Sequence, residues 1–277
     1  MMDDEQFVEI ISIGNELLIG KTINTNAQWL AKRITTLGLK VRRITTVGDD
    51  VDEISTALRE AISRKPLFII TTGGLGPTFD DKTLEGVAEA LGRELKENKE
   101  ALKMVEEKYR MYVTEGRIKE FEMTPHRVKM AKLPEGSKPL RNPVGTAPGV
   151  LVEYDGTTLV MLPGVPPEMK AIFDESVEPM IRRAAGDMIF FEVSMDVRGL
   201  PESEIAPIID QVMHDNPYVY IKSHPKAEER IPHLEIHLST TSDDQTLARK
   251  RVNRVLLQLS ELIRQKGGRV KLIEPKS

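Results

Sequence analysis

The sequence contains no cysteine, which excludes disulfide bonds, thiolate metal ligands and a cysteine nucleophile. It has no apolar run long enough to cross a bilayer, so we expect no membrane-spanning helix and no membrane partner. The first residues are acidic and lack the basic end and apolar core of a signal peptide, which predicts a cytoplasmic protein. A formal charge of -4 gives no electrostatic reason to expect nucleic acid as a partner.

The chain has 277 residues, 40% of them hydrophobic and 30% charged, which suits one large or two ordinary domains. Apolar runs alternate with amphipathic segments as far as about residue 185. This alternation predicts a three-layer, mostly parallel α/β domain over 1–185. Strands are predicted at 8–13, 39–47, 67–72 and 128–133, with a hairpin over 150–160 that turns at Asp155-Gly156. Helices are predicted at 27–37, from Asp50 to Ile62, and at 84–91, 94–112 and 169–181.

The pattern changes after Ala184-Ala185-Gly186-Asp187, which we take as a domain boundary. Residues 186–277 predict the order βαββαβ, a small α+β domain of KH-like or ferredoxin-like type. His233, Glu235 and His237 share one strand face there, which suits either a metal site or, more commonly, a solvated face. No Gly-x-x-Gly clamp joins helices in this domain, so RNA binding is unsupported.

The chain is organised around residues 69–81, where an apolar strand runs into a glycine-rich loop and then two acidic residues. A loop of this composition lets backbone N–H groups approach an anion, and a following helix adds its positive end. The predicted anion-binding residues are Thr72, Gly73, Gly74, Leu75, Gly76, Pro77 and Thr78. Asp80 and Asp81 are predicted to hold a divalent cation against phosphate oxygens. The alternative is a structural turn whose aspartates cap the helix.

Polar residues also follow the first strand, and they should emerge at the same edge of a parallel sheet as the glycine loop. Glu16 is a candidate for orienting a water or holding a metal, and Gly14, Asn24 and Asn26 are candidate substrate contacts. The alternative is solvation of the loop together with N-capping of the helix that begins near Ala27.

Two further segments, 142–149 and 162–169, are dense in proline and glycine and therefore form rigid, specific turns. The second leads into a helix with proline in its first turn. Candidate substrate contacts in these segments are Asn142, Gly145, Thr146, Pro163, Gly164 and Glu168. The alternative is ordinary turn structure. His126 and Arg127, nearby in sequence, are further candidates for facing a phosphate.

Taken together, these motifs resemble those of the CinA-like family of competence/damage-inducible proteins. The signature is Thr72-Gly73-Gly74-Leu75-Gly76-Pro77-Thr78-Phe79-Asp80-Asp81-Lys82-Thr83, and the segments 14–18, 24–26, 142–149 and 162–169 match the other motifs in order. The resemblance implies a molybdopterin-binding fold of the MoaB/MogA type for the first domain and a KH-like second domain. Many relatives carry a further amidase domain, which is not present up to Ser277, so that activity is not expected here.

The resemblance also implies an activity, the metal-dependent hydrolysis of a nucleotide diphosphate linkage. ADP-ribose is the typical substrate, FAD is cleaved by relatives, and the metal is magnesium, manganese or cobalt, with potassium favouring activity. In this interpretation Glu16 is a general base, Asp80 or Asp81 holds the metal, and Asn142 and Thr146 hold the distal ribose phosphate. Two alternatives stay open: a pterin-binding protein of molybdenum-cofactor assembly, and a regulatory nucleotide-binding module without turnover.

The charged helix at 94–112 and the irregular segment at 114–124 are predicted to project from the α/β core. They carry several apolar side chains that a neighbouring subunit would bury, namely Met104, Tyr109, Met111, Tyr112 and Phe121. We therefore expect a homodimer, the commonest symmetric assembly, which relatives that are oligomeric also favour.

Overall fold

A computed structural model describes residues 6–226 and 231–273 of the chain. Within these residues the chain divides into two compact units. The first unit holds residues 6–35 and 39–184, and the second holds residues 36–38 and 185–273 apart from the gap. The predicted boundary between residues 185 and 186 falls beside this division.

The first unit contains eight strands, a set of α-helices and one π-helical turn. The strands are β1 (Phe7–Ile13), β2 (Lys40–Val47), β3 (Phe68–Thr72), β4 (Leu95–Glu97), β5 (Lys132–Pro134), β6 (Lys138–Leu140), β7 (Gly149–Tyr154) and β8 (Thr157–Leu162). The helices are α1 (Asn15–Leu18), α2 (Thr25–Thr36), α3 (Val51–Ser63), α4 (Thr83–Leu91), α5 (Lys99–Thr114), α6 (Pro125–Lys129), α7 (Pro166–Ile172) and α8 (Glu178–Ala185), with the π-turn Phe173–Val177 joining the last two.

Six of these strands form one sheet in the order β2-β1-β3-β8-β7-β6. β1 pairs in parallel with β2 and β3, and β3 pairs in parallel with β8, while β7 and β6 continue the sheet antiparallel. Every residue of β1 is buried, as expected for a central strand covered on both faces. The predicted hairpin turn at Asp155-Gly156 is confirmed, and both residues have positive φ.

Helices cover both faces of this sheet, which confirms the predicted three-layer architecture. On one face Ile11, Ile69 and Met161 pack with apolar residues of α3, α4 and α5 in a single cluster. The alternating residues Ile10 and Ile70 are fully buried on the opposite face. The rings of Trp29 in α2 and Phe173 in the π-turn meet edge to face at 5.2 Å.

Two predictions of secondary structure in the middle of the chain were wrong. The helix predicted over 94–112 begins only at Lys99, because residues 95–97 form β4 and pair antiparallel with β5. Asn98 caps the helix by accepting from the Ala101 N–H. The strand predicted over 128–133 is shortened by α6, whose start has the Thr124 cap and a proline in the first turn.

The apolar side chains of the segment around α5 are largely covered within the chain. Tyr109 packs against the main core cluster and lies 3.9 Å beneath the guanidinium of Arg127. Arg117 lies over the Tyr112 ring at 4.9 Å, and Phe121 stacks on Tyr109 at 6.4 Å. These cation–π and stacking contacts weaken the argument that a second subunit must bury the segment. Arg127 is therefore engaged with Tyr109 rather than with a phosphate site.

The second unit has the predicted order βαββαβ. Its elements are β9 (Ile189–Arg198), α9 (Glu202–Asp215), β10 (Tyr220–Pro225), β11 (His233–Ser242), α10 (Gln245–Gln265) and β12 (Arg269–Ile273). The four strands form an antiparallel sheet in the order β10-β11-β9-β12, the split βαβ arrangement of the ferredoxin-like alternative. Apolar residues of α9 and α10 share its core. Among residues 6–226 and 231–273, no helix combines the length and apolar composition needed to cross a membrane.

The histidines of β11 fit neither the predicted metal site nor the predicted solvated strand face entirely. His233 is buried and paired with Asp196 of β9, so it is not solvated. His237 lies 3.3 Å from Glu192 Oε1 and 3.2 Å from Glu235 Oε1, in a partly exposed ion-pair network. Across the described residues, no group of three or more His, Cys, Asp or Glu side chains is arranged to hold a metal ion.

Candidate functional site

The carboxyl ends of the parallel strands meet at one edge of the large sheet, and the predicted motifs meet there as well. Ser12 of β1 is in register with Thr72 of β3, which is in register with Leu162 of β8. The loops that follow these strands and β2 surround a cleft of about 340 Å³. The cleft is lined by Ile13, Gly14, Glu16, Asp49, Gly73, Gly74, Leu75, Gly76, Pro77, Asp80, Asp81, Thr146, Ala147, Pro163, Gly164, Val165 and Glu168.

The glycine loop passes against neighbouring backbone at positions where no side chain fits. Gly73 has φ 113, and a Cβ atom built on it would lie 2.1 Å from the carbonyl oxygen of Ile13. The Gly73 N–H donates to the Leu162 carbonyl and is therefore not available to a ligand. In the described part of the chain, the N–H groups of Gly74, Leu75 and Gly76 have no protein acceptor. These three N–H groups lie beside a ligand-sized cleft and are the donors of the loop that are free to meet an anion.

Asp80 and Asp81 lie before the helix rather than at its start, which corrects both the predicted placement and the capping alternative. Helix α4 begins at Thr83 after Lys82, and no side chain caps it. Thr78 Oγ1 lies 2.5 Å from Asp80 Oδ1 and 2.5 Å from Asp81 Oδ2, so both carboxylates converge on one hydroxyl. The Thr78 N–H also donates to Asp81 Oδ2 at 2.8 Å.

A lysine behind the loop holds this arrangement in place. Lys129 Nζ donates to the carbonyl oxygens of Thr78 and Asp81, the latter at 2.7 Å. The hydrogen bond from Thr78 lowers the pKa of Asp80, and the positive charge of Lys129 lowers it further. Asp80 is therefore ionised over the whole physiological pH range.

Asp49 is the charged residue of the cleft lining that sequence reasoning missed. It follows β2, a parallel strand of the same sheet, so the rule that ligands bind at the carboxyl ends of such strands includes it. Its Oδ2 accepts the Asn15 N–H at 2.8 Å. Burial raises the pKa of Asp49, and repulsion from Glu16, Asp80 and Asp81 raises it further, while the Asn15 hydrogen bond opposes both.

The residues predicted after β1 have separate roles. Glu16 is exposed and lines both the cleft and an adjoining pocket of about 100 Å³. Asn24 caps α2 by accepting the Ala27 N–H at 3.1 Å, and it donates to Ser12 Oγ, as the capping alternative predicted.

Asn26 connects the loop after β1 to the other two loops. Its Nδ2 donates to Thr72 Oγ1 at 3.0 Å and to the Gly164 carbonyl at 2.8 Å, while Thr72 Oγ1 donates to the Pro163 carbonyl. Its Oδ1 is a buried acceptor without a partner among the described residues. Asn26, Thr72, Pro163 and Gly164 therefore form a joint between the loops that follow β1, β3 and β8, and Pro163 and Gly164 also line the cleft.

Asn142 organises its own loop and lines an adjoining cavity rather than the cleft, and its contact with substrate stays a prediction. Its Oδ1 accepts the N–H groups of Val144 and Gly145, and its Nδ2 donates to the Ala147 carbonyl and to Glu168 Oε2. These four bonds use the full capacity of the amide. Thr146, at the tip of this loop, does line the cleft.

The charge of the cleft is strongly one-sided. Its lining includes the carboxylates of Glu16, Asp49, Asp80, Asp81 and Glu168, and within the described residues it includes no lysine or arginine. Anionic phosphates are repelled by such a surface unless a cation accompanies them. Two carboxylates converging on a hydroxyl are hard oxygen donors, which suits a divalent cation that keeps several waters.

Comparison with known proteins gives the family. Residues 9–183 match the family described as "Probable molybdopterin binding domain". A protein of Pyrobaculum arsenaticum is 48% identical over 263 residues, covering 95% of this chain and 96% of its own, and a Sulfurisphaera tokodaii protein is 43% identical over 265 residues, covering 95% and 97%.

Among solved structures, the crystal structure of "the protein CinA with unknown function" from Thermoplasma acidophilum is 41% identical. It aligns with a TM-score of 0.58 over 64% of this chain and 98% of its own. The matched region contains the cleft described above, and the predicted molybdopterin-binding fold is confirmed. The chain belongs to the molybdopterin-binding-domain family and is a CinA-like member of it.

Proposed function

We propose that the protein is a metal-dependent hydrolase of nucleotide phosphoanhydrides, with ADP-ribose as substrate and AMP and ribose 5-phosphate as products. The strongest support is that one cleft is lined both by backbone N–H donors and by carboxylates. Backbone N–H groups of Gly74 to Gly76 lie on one side, and carboxylates that require a cation surround them. A pyrophosphate with a divalent cation matches both surfaces, because its oxygens bind N–H donors and the cation together.

The oxygens of Asp80, Asp81 and Thr78 would hold the cation, which would be magnesium, manganese or cobalt, with potassium as an accessory ion. When bound, such a cation neutralises phosphate charge and lowers the pKa of a coordinated water.

The side chains supply the remaining steps. Glu16, exposed at the edge of the cleft, accepts a proton from the attacking water. The water oxygen forms a bond to one phosphorus, and the bond from that phosphorus to the bridging oxygen breaks. The bridging oxygen leaves on the second phosphate. The N–H groups of Gly74, Leu75 and Gly76 stabilise the charge that develops on the phosphoryl oxygens.

The experiment is a hydrolysis screen of ADP-ribose, FAD and NAD with magnesium, manganese or cobalt, with and without potassium. We expect AMP from ADP-ribose, no AMP after chelation, and recovery when metal is restored. Absence of AMP from every dinucleotide with every metal would sink the proposal. An Asp81→Asn variant that folds as the wild type serves as the negative control.

A second candidate is the binding of molybdopterin, which the family match at residues 9–183 supports directly. The same N–H groups that suit a pyrophosphate also suit a pterin phosphate. Equilibrium binding distinguishes the two candidates. Tighter binding of molybdopterin than of ADP-ribose, without release of AMP, would support molybdopterin binding and contradict ADP-ribose hydrolysis.

A further inference from the structure

A second cavity lies beside the cleft, between α5 and the loop that Asn142 organises. It is about 340 Å³ in volume, large enough for part of a nucleotide. Met104 and Met111 of α5 and two prolines supply apolar walls, and Lys108 and Arg141 supply positive charge. We call it the side cavity.

The side cavity and the cleft share a wall. Thr146 lines both, and among the described residues the hydrogen-bond partner of its hydroxyl is the weak acceptor Met130 Sδ, at 3.9 Å. Glu168, which lines the cleft, acts electrostatically on Lys108, so the two spaces lie within charge–charge range. One ligand can therefore extend from the cleft past Thr146 into the side cavity.

Lys108 is held at the mouth of this cavity. Its Nζ donates to the Pro143 carbonyl at 2.8 Å, which leaves further ammonium protons without an acceptor in the described structure. Burial lowers the pKa of Lys108, and repulsion from Arg141 and Arg117 adds to this. An anion placed between Lys108 and Arg141 would relieve that repulsion.

The side cavity therefore differs in charge from the cleft. Five carboxylates line the cleft, whereas the side cavity carries Lys108, Arg141 and the single carboxylate Glu107. Arg141 is paired at the surface with Glu175 at 3.1 Å and keeps other N–H donors. A phosphate without a metal is repelled by the cleft and attracted by the side cavity.

We propose that the side cavity binds the phosphosugar half of the substrate and that Lys108 and Arg141 contact its phosphate. This inference rests on the proposed hydrolase function, because it places the two halves of a dinucleotide on two differently charged surfaces. The metal-bearing cleft takes the phosphate that is attacked. Lys108 receives the phosphate that leaves, and the methionine side chains, which adapt to irregular shapes, pack against the sugar.

The test is calorimetric titration of the metal-free protein with ribose 5-phosphate, which probes the side cavity without turnover. Inorganic phosphate and AMP are titrated separately, to distinguish a phosphosugar site from a general phosphate site or a nucleotide site. We compare the wild type with Lys108→Met, Arg141→Met and the control Lys99→Met, an exposed residue at the start of the same helix.

We expect Lys108→Met and Arg141→Met each to raise the Kd for ribose 5-phosphate by about tenfold or more, the loss of a charge-assisted hydrogen bond. Lys99→Met should leave the Kd unchanged. Arg141 is exposed, so its variant tests the proposal even if Lys108→Met does not fold. Equal Kd values in all four proteins, no binding of ribose 5-phosphate, or tighter binding of AMP or inorganic phosphate would overturn the proposal.

Failure of the side-cavity proposal is distinguishable from failure of the hydrolase proposal. If the wild-type protein releases AMP from ADP-ribose and Lys108→Met and Arg141→Met keep the same KM, the hydrolase proposal is supported and the assignment of the side cavity is wrong. If ribose 5-phosphate binds through Lys108 but no dinucleotide is cleaved, the cavity is a phosphosugar site of a protein without this hydrolase activity.

Discussion

The Asn26 amide donates to the Thr72 hydroxyl over 3.0 Å, and this bond joins the loop after β1 to the end of β3. The same amide donates to the Gly164 carbonyl in the loop after β8. One side chain therefore connects three chain segments that are far apart in sequence. We expect this joint to help hold the three loops around the cleft.

The joint can be tested by Asn26→Ala. The variant loses both hydrogen bonds, and we expect the free energy of unfolding to fall by roughly 1–2 kcal/mol, about the net value of two such bonds. The loss is limited because the substitution also removes a buried acceptor that lacks a partner. Urea denaturation measures the change. Unaltered stability together with unaltered activity would show that the loops hold their positions without Asn26.

Asp81→Ala is expected to lose most activity while the fold persists. The carboxylate accepts the Thr78 N–H and lies beside the Thr78 hydroxyl, and losing these contacts should cost about 1 kcal/mol of stability. Losing a metal ligand should instead lower kcat by orders of magnitude. Circular dichroism and steady-state kinetics are the measurements, with Asp52→Ala on α3 as the control. Wild-type turnover in folded Asp81→Ala would leave the residue a purely structural role.

Asp49 should make stability depend on pH. Because its pKa is raised in the folded protein, the stability it contributes is present below its unfolded pKa and is lost as pH rises through the folded pKa. Asp49→Asn removes this penalty and keeps an oxygen for the Asn15 N–H.

We therefore expect the metal-free Asp49→Asn variant to have a higher Tm than the wild type at neutral pH. The two Tm values should become equal at a pH below the pKa of Asp49 in the unfolded chain, where the wild-type carboxyl group is protonated. Differential scanning calorimetry across pH gives the comparison. A difference in Tm that persists unchanged at acid pH would contradict the repulsion from neighbouring carboxylates.

Gly73→Ala should distort the glycine loop. The new Cβ would lie 2.1 Å from the Ile13 carbonyl oxygen, so the loop or β1 must move, and a residue with this positive φ is strained in addition. We expect the free energy of unfolding to fall by about 3 kcal/mol or more, and we expect the variant not to bind ADP-ribose. Gly20→Ala is the matched control, since its φ is also positive but its Cβ meets nothing within 4 Å. If both variants lost the same stability, the positive φ alone would explain the loss, and the predicted clash with Ile13 would be contradicted.

The oligomeric state is a separate prediction. We expect a homodimer, and light scattering at micromolar concentration should give about twice the chain mass of 31.1 kDa. The rings around α5 are already packed under arginines. Met111, which is 38% exposed and also lines the side cavity, is the large apolar residue of that segment that a partner could still cover. A mass equal to one chain would show that the segment needs no second subunit.

The sequence by itself determined the layers of the fold and the loops that carry the site. Periodicity of apolar residues is a local property, so β1, α3 and the βαββαβ order were predictable from it. The rule for parallel sheets then predicted that the loops after β1 and β3 meet. The sequence did not predict β4, because a three-residue strand is specified by pairing with β5 rather than by its own residues.

Only the tertiary structure decided which polar residues face the cleft. Asn24, Asn26 and Asn142 have the same side chain, yet one caps a helix, one joins three loops and one organises its own turn. Asp49 enters the cleft because β2 ends beside β1, and Lys108 faces a cavity because its helix packs on a distant loop. Hydrogen-bond partners and charge neighbours come from segments far away in the chain, so their identity is set by packing and not by local sequence.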